Sequence, residues 1–426
     1  MAHYNIKRLC LTLLERPELT VYPKNFALYF RCRIANNDPR AEEVAGRLLA
    51  IMPSIPQHLS TLLGTDSPNS FHIEWLSTLL LAPLQFSDGF LALVLSMATN
   101  LETLMLDGTY PLQITIKVLR SYFSRCYDGA AGVVNKTSSP AFTKLRLLRF
   151  QNEDGPTVTV PPSVETLKLR TSRARFIQWP IDYASPSQLH TIDIRHGSMP
   201  EDSIIEGLRE GHLGNITHIV LSDNPYNSHV DYQTLVDSLI AYAPKLISIE
   251  WVKFKSTGFF PLPQWPPPAL RNLSQFTGIK SLVMDLQLLI GSTDILNIKD
   301  LHPQLPPGLC QLQFSSIPLP DLNENIRVLA MEEEDEVIRL FTSFASRLPI
   351  RHLSMTVECG VRNNVRDVRI SKATVQAMLK VADALFEMGT VFQIRRRAQG
   401  AERYRPQAPE LISHGFISEE VEIIED

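Results

Sequence analysis

The sequence has few of the residues that mark a secreted, cysteine-metal or membrane-spanning protein. Only 5 of its 426 residues are cysteines, and none forms a Cys-x-x-Cys pair, so we expect neither a disulfide framework nor a cysteine zinc site. No apolar run reaches the ~20 residues that a membrane helix needs. No signal-peptide cleavage pattern follows the N-terminus. We therefore expect a protein of the cytoplasm or nucleus that does not bind membranes.

An excess of charge and the signatures of enzymes are also missing. The net charge of -4 gives no general attraction to nucleic acid, so none is expected as a partner. There is no glycine-rich phosphate loop, no GxSxG and no HExxH. Five histidines lie close together in the sequence but in different predicted elements, and we interpret them as solvated or capped rather than metal-bound: His190, His196, His212, His218 and His229. We expect no catalysis, no metal and no cofactor.

The most informative stretch spans residues 230–251. Asp231 can cap a helix, because its carboxylate accepts free N–H groups of the first turn. Apolar residues then recur at helical spacing, and Pro244 ends the helix because it lacks an N–H group. Over 246–251 the pattern changes to apolar-x-x-apolar-x-apolar, which predicts a short buried strand. The stretch therefore predicts one helix–break–strand unit of a solenoid.

The same strand pattern occurs nine times along the chain. The first residues of the nine copies are Leu101, Leu145, Val164, Leu189, Ile216, Leu246, Ile279, Leu309 and Ile350. Most of the spacings between copies lie near the 20–29 residues of leucine-rich repeats, and most copies follow a helical stretch or a proline pair. We predict an α/β fold of the leucine-rich-repeat type. This would be a horseshoe-shaped solenoid with a parallel sheet on its concave face and an irregular helical or proline-rich convex side.

The pattern divides the chain into three predicted regions. Residues 1–87 form a helical N-terminal cap with an edge strand. Residues 88–360 form the degenerate leucine-rich-repeat solenoid. Residues 361–426 carry a C-terminal capping helix and a charged tail. The two caps would cover apolar edges that otherwise promote aggregation.

Two segments resemble F-box/leucine-rich-repeat proteins of the fungal type. Residues 243–251, Ala-Pro-Lys-Leu-Ile-Ser-Ile-Glu-Trp, resemble the helix–Pro–strand repeat, and residues 11–19, Leu-Thr-Leu-Leu-Glu-Arg-Pro-Glu-Leu, resemble the segment that follows the F-box. The resemblance implies a substrate-recognition horseshoe; in that family the F-box, a separate helical module, docks on a ubiquitin ligase adaptor. Residues 1–8 leave no room for an F-box, so we first expect a non-catalytic scaffold that binds a partner protein on its concave face. The alternative is a substrate-recognition subunit of an SCF-type (cullin–RING) ubiquitin ligase whose F-box is missing or diverged.

The predicted concave face carries a basic centre flanked by acidic residues. Side chains alternate along a strand, so the residues between the apolar positions line this face. The candidate partner-binding residues are Arg149, Lys168, Arg170, Asp193, Arg195, His218, Glu250 and Asp285. This arrangement predicts docking of a charged peptide segment of a partner protein. The alternative is a strand face whose mixed charges only maintain solubility.

Two further features lie outside the repeat pattern. Trp265 stands in the proline-rich stretch 259–268, which would be stiff and extended. This stretch is either a partner-binding loop or an outer segment that packs Trp265 onto the core. The three arginines at 395–397 lack interleaved aromatic residues, so they do not indicate a nucleic-acid site.

Overall fold

The structure, a computed structural model, describes two compact units, Met1–Asn215 and Ile216–Asp426. The described residues are 2–30, 43–44, 46–47, 50, 88–108, 142–151, 157–170, 176–179, 188–197, 201–223, 231–253, 269–291, 297–298, 301–318, 336–359, 372–398 and 410–412. Both units combine helices with a parallel sheet. Within these ranges, no helix combines the length and the hydropathy that crossing a bilayer requires.

Unit one contains three described α-helices and seven strands. In chain order they are α1 (Ala2–Glu15), β1 (Asn25–Phe30), α2 (Asp88–Met97), β2 (Thr103–Gly108), β3 (Leu147–Gln151), β4 (Thr157–Thr159), β5 (Thr166–Arg170), β6 (Phe176–Gln178), β7 (Thr191–Gly197) and α3 (Glu201–Arg209). Five strands form a parallel sheet in the order β1-β2-β3-β5-β7. The two others, β4 and β6, pair in parallel as a separate small sheet.

Unit two contains four described α-helices and seven strands. In chain order they are β8 (His218–Asp223), α4 (Tyr232–Tyr242), β9 (Ser248–Lys253), β10 (Ser281–Asp285), α5 (Leu286–Ile290), β11 (Gln311–Pro318), α6 (Glu336–Ala345), β12 (His352–Cys359), α7 (Lys372–Glu387), β13 (Val391–Ala398) and β14 (Glu410–Ile412). Strands β8 to β13 are parallel and neighbour one another in chain order. The last strand, β14, pairs with β13 in the antiparallel sense.

All nine predicted strands are confirmed, and the apolar positions lie in register on neighbouring strands. In unit one Leu167 lies opposite Ile192, and in unit two Ile249 lies opposite Ile219 and Leu282. The first apolar residue of every copy is at most 4% exposed. One side of the strands is therefore buried, while the alternate side chains remain partly exposed. The α/β class and the parallel pairing of the predicted fold are thus established.

Within each unit, a repeated backbone contact links successive copies. The carbonyl oxygen of Glu165 accepts hydrogen bonds from the N–H groups of His190 and Thr191, at 2.9 and 3.1 Å. Each of these acceptors directly follows the first apolar residue of its copy. The same double acceptance occurs at Glu102, Arg146, Thr217, Ile247, Lys280 and Cys310. The buried backbone is therefore paired at the same point of successive copies, which fixes the register of their strands.

The helix of the 230–251 stretch also forms as the sequence predicts. The Oδ1 atom of Asp231 accepts a hydrogen bond from the Thr234 N–H at 3.1 Å, and its Oδ2 atom accepts one from the Thr234 hydroxyl at 2.6 Å. The hydrogen bonds from the Thr234 side chain and backbone hold the pKa of the Asp231 carboxyl below its usual value. The helix ends at Tyr242, two residues before Pro244.

Helices pack against β1, the first strand of unit one, and against β13, the last parallel strand of unit two. Helix α1 contacts α2 and β1 in unit one, and α7 contacts α6 and β13 in unit two. Strand β1 covers residues of the predicted edge strand and pairs only with β2 among the described strands. Residues 51–87 of the predicted N-terminal cap lie outside the described residues.

The C-terminal region holds two strands that the sequence pattern missed, β13 and β14. Strand β13 continues the parallel sheet beyond β12, with Phe392 opposite Leu353. The position that matches the first apolar residue of the other copies is Gly389. Its φ of +79° lies in the left-handed region that glycine adopts readily at the end of a helix. The copy therefore has a glycine where the pattern requires an apolar side chain.

We predict that two adjacent residues of β7 respond very differently to truncation. The side chain of Ile192 is buried in the core, whereas Thr191 is partly exposed on the other side of the strand. Ile192→Ala should lower the free energy of unfolding by about 2–5 kcal/mol, because it leaves a cavity. Thr191→Ala should lower it by less than about 1 kcal/mol. Chemical denaturation measures both values, and equal losses would contradict the assigned register.

We predict that the Asp231 cap stabilises the protein in a pH-dependent way. A carboxyl whose pKa is lower in the folded state contributes stability above its unfolded pKa, and this contribution is lost as the pH falls through the folded pKa. At pH 7, Asp231→Ala should cost about 1 kcal/mol and Asp231→Asn much less, since asparagine also caps helices. The difference between wild type and Asp231→Ala should shrink below about pH 4. If the free energies of unfolding of wild type and Asp231→Ala differed by the same amount at pH 3 and pH 7, the proposed role of the Asp231 carboxylate as a cap would be contradicted.

Candidate functional site

Five of the predicted partner-binding residues lie together on three neighbouring strands of unit one. We call this group the basic face: Arg149 on β3, Lys168 and Arg170 on β5, and Asp193 and Arg195 on β7. All five side chains are on the partly exposed side of the sheet. Arg149, Lys168 and Asp193 occupy one row across the strands, and Arg170 and Arg195 occupy the next. With neighbouring strands about 4.8 Å apart, four cations and one anion share a small surface.

The single acid of the basic face is bound to one of its arginines. The Nε atom of Arg195 donates a hydrogen bond to Oδ1 of Asp193 at 2.7 Å, and the two side chains form an ion pair. The Asp193 side chain is only 15% exposed, whereas that of Arg195 is 33% exposed. The carboxylate is therefore largely shielded, and Arg195 contributes more accessible surface to the basic face.

The other cations differ in how accessible they are. The Nε atom of Arg149 is shielded from solvent, so part of this side chain belongs to the packed interior. Lys168 makes no hydrogen bond or ion pair with any residue in the described part of the chain.

The positions that neighbour the basic face on the same side of the sheet carry small or aliphatic side chains: Thr103, Met105, Leu147, Thr166 and Thr191. Among the described side chains at these bordering positions, none opposes the charge of the basic face.

The remaining predicted residues lie in unit two and do not form a comparable cluster. His218 is exposed on β8, where its Nδ1 atom lies 2.8 Å from the Thr217 hydroxyl. Glu250 lies on the partly exposed side of β9, opposite Val220 and Val283. Among the described side chains on this side of β8 to β12, there is no lysine or arginine. The described part of this surface therefore lacks lysine and arginine charges, unlike the basic face.

Asp285 is placed differently from the prediction that it contacts a partner. Its side chain is completely buried, although it lies on the same side of β10 as the partly exposed Val283. Its Oδ1 atom accepts a hydrogen bond from the Gln287 N–H at 3.0 Å and caps α5. Because the strand passes directly into this short helix, the carboxylate has a structural role. We therefore leave Asp285 out of the candidate surface.

Other sequence features give no second site. Trp265 lies outside the described residues. The arginines at 395–397 belong to strand β13. Within the described ranges, no three histidine, cysteine, aspartate or glutamate side chains converge as a metal site would require. His212, one of the clustered histidines, is buried with Nε2 at 3.0 Å from a Glu210 carboxylate oxygen.

Sequence reasoning found the residues of the basic face but missed their main internal contact. Asp193 and Arg195 are two positions apart on one strand, so their side chains point to the same side. This spacing could have predicted the ion pair. No comparable signal in the sequence indicates the burial of Asp285, because its burial depends on the turn from β10 into α5.

Comparison with known proteins adds no family assignment. A scan against protein-family models and a search of curated proteins found no match to the chain. The resemblance to F-box/leucine-rich-repeat proteins therefore remains an expectation from the sequence. A function for this chain must be inferred from the geometry of the basic face.

Proposed function

We propose that the chain is a non-catalytic binding protein of the leucine-rich-repeat type, and that its basic face binds an acidic segment of a partner protein. The observation that carries this proposal is the clustering of four cationic side chains on three neighbouring strands. The proposed partner is an extended peptide segment rich in aspartate and glutamate.

The repeated backbone geometry supports the solenoid part of the proposal. Within each unit, successive copies place an apolar first residue in the core and then a carbonyl group that accepts two hydrogen bonds from the next copy. The parallel strands also follow one another in chain order within each unit. Stacked repeats produce these features, because each repeat buries its apolar residues against its neighbours.

The charge of the basic face supports an acidic partner. Four cations and one anion give this surface a local charge of +3, whereas the whole chain carries -4. Complementary charge increases the rate of encounter and helps to set the register of a bound segment. Mixed charges that serve solubility alone would be expected to intersperse both signs. The local excess of one sign therefore favours a binding role.

A protein partner is favoured over single-stranded nucleic acid. Proteins that bind single strands combine a basic groove with aromatic side chains on which bases stack. The described side chains on the basic face and its borders include no aromatic residue. Carboxylates need only hydrogen-bond donors and positive charge, both of which arginine and lysine supply.

We predict that reversing two charges on β5 abolishes binding of an acidic peptide. The probe is a fluorescein-labelled 12-residue peptide of alternating glutamate and serine, with lysine–serine and RNA oligonucleotide probes for comparison. The variant Lys168→Glu/Arg170→Glu leaves the partly buried Arg149 unchanged. Its dissociation constant for the acidic peptide, measured by fluorescence anisotropy, should rise by at least about tenfold, because two attractive contacts become repulsive. Wild-type binding should also weaken with added salt.

The matched control reverses two cations just before the start of β3. Lys144 and Arg146 are exposed, and the ion pair between Arg146 and Glu165, at 3.7 Å, joins two exposed side chains, so it contributes little to stability. Lys144→Glu/Arg146→Glu changes the net charge by the same amount but should weaken peptide binding much less. Both double variants should keep the thermal unfolding midpoint of the wild type. Equal effects of the two variants, preference for RNA, or no wild-type binding would each refute the proposal.

A further inference from the structure

We propose that Asp193 is a positioning residue, which holds Arg195 beside Arg170 so that the two guanidinium groups bind the same carboxylate of the partner. This inference rests on the proposed function, because it concerns the same basic face and the same class of partner. Asp193 then affects partner binding through Arg195 and does not contact the partner itself.

The geometry of the pair supports this role. Asp193 and Arg195 lie two residues apart on β7, and the Nε–Oδ1 distance of 2.7 Å is that of a charge-assisted hydrogen bond. A guanidinium group has five N–H donors, so a bond through Nε does not exhaust its capacity. Asp193 is the more shielded of the two side chains. A partner approaching the sheet therefore meets Arg195 more readily than Asp193.

The register explains why Arg195 needs such a contact. Arg170 and Arg195 are direct partners on neighbouring parallel strands, and like charges at opposed positions repel. Asp193 offsets this repulsion and restricts the side chain of Arg195 before the partner binds. Two arginines held on adjacent strands can then share one carboxylate.

Asp193 also lies opposite Lys168 on β5, but the ion-pair partner among the described residues is Arg195. Lys168 makes no ion pair with any described residue. We therefore assign the positioning role of Asp193 to its bond with Arg195.

A purely electrostatic role for Asp193 makes the opposite prediction. If the acid only reduced the positive charge of the face, its removal would strengthen binding of an acidic peptide. If it positions Arg195, its removal weakens binding although the surface becomes more positive, because Arg195 must then be immobilised when the partner binds. The sign of the change in affinity thus separates the two roles.

The experiment measures binding of the labelled glutamate–serine peptide at fixed ionic strength. Asp193→Ala should raise the dissociation constant roughly two- to tenfold, the cost of immobilising one long side chain. Asp193→Asn keeps an oxygen that can accept from Arg195 Nε, so it should have a smaller effect than alanine. The control, Glu206→Ala, removes the same charge from an exposed position on α3 of the same unit and should not weaken binding.

A double-mutant comparison shows whether the effect passes through Arg195. In an Arg195→Ala background, Asp193→Ala should no longer weaken binding. Tighter binding by Asp193→Ala in the otherwise wild-type protein would overturn the inference, as would an equal loss in both backgrounds. Either result would leave the proposed function in place if the wild type binds the acidic peptide and Lys168→Glu/Arg170→Glu does not. Failure of the wild type to bind the peptide would overturn both.

Discussion

The alternation of side chains along registered parallel strands is the constraint on which the rest of the structure depends. A one-residue slip in a strand such as β5 would turn Leu167 outward and Lys168 into the core. Burial of an unpaired ammonium group is far more costly than the loss of one apolar contact. The apolar positions therefore determine which side of the sheet is buried. They also determine that Arg149, Lys168 and Asp193 form one row on the other side.

The backbone reinforces this register independently of the side chains. Within each unit, the carbonyl group after the first apolar residue of a copy accepts hydrogen bonds from two N–H groups of the next copy, for example at Arg146 and Glu165 in unit one and at Thr217 and Ile247 in unit two. These contacts lie just before the strands begin, so the ladder starts from the same point in each copy. Charged side chains on the open side of the sheet can therefore differ between copies without shifting the strands. They take part neither in these backbone hydrogen bonds nor in the buried apolar row.

The sequence predicted the strands better than it predicted their ends. Periodicity identified nine strands because each buries apolar residues at fixed spacing. It did not identify β13, because Gly389 stands where the pattern requires the first apolar residue of the copy and adopts a left-handed φ of +79°. The basic face followed from alternation alone. The burial of Asp285 could not be predicted in this way, because its burial and its capping hydrogen bond arise from the turn into α5. Strand interiors follow from local pattern, whereas residues at strand ends depend on how the chain leaves the sheet.

The charge of the whole chain says little about the surface that a partner would meet. The net charge is -4, yet the open side of β3, β5 and β7 carries four cations and one largely shielded acid. On β8 to β12, the described side chains of the corresponding side include no lysine or arginine. Electrostatic attraction at short range depends on charges within about one Debye length, roughly 8 Å at physiological salt. Local arrangement, set by strand register, therefore determines which class of partner the surface attracts, and Asp193 contributes to it by restricting the position of Arg195.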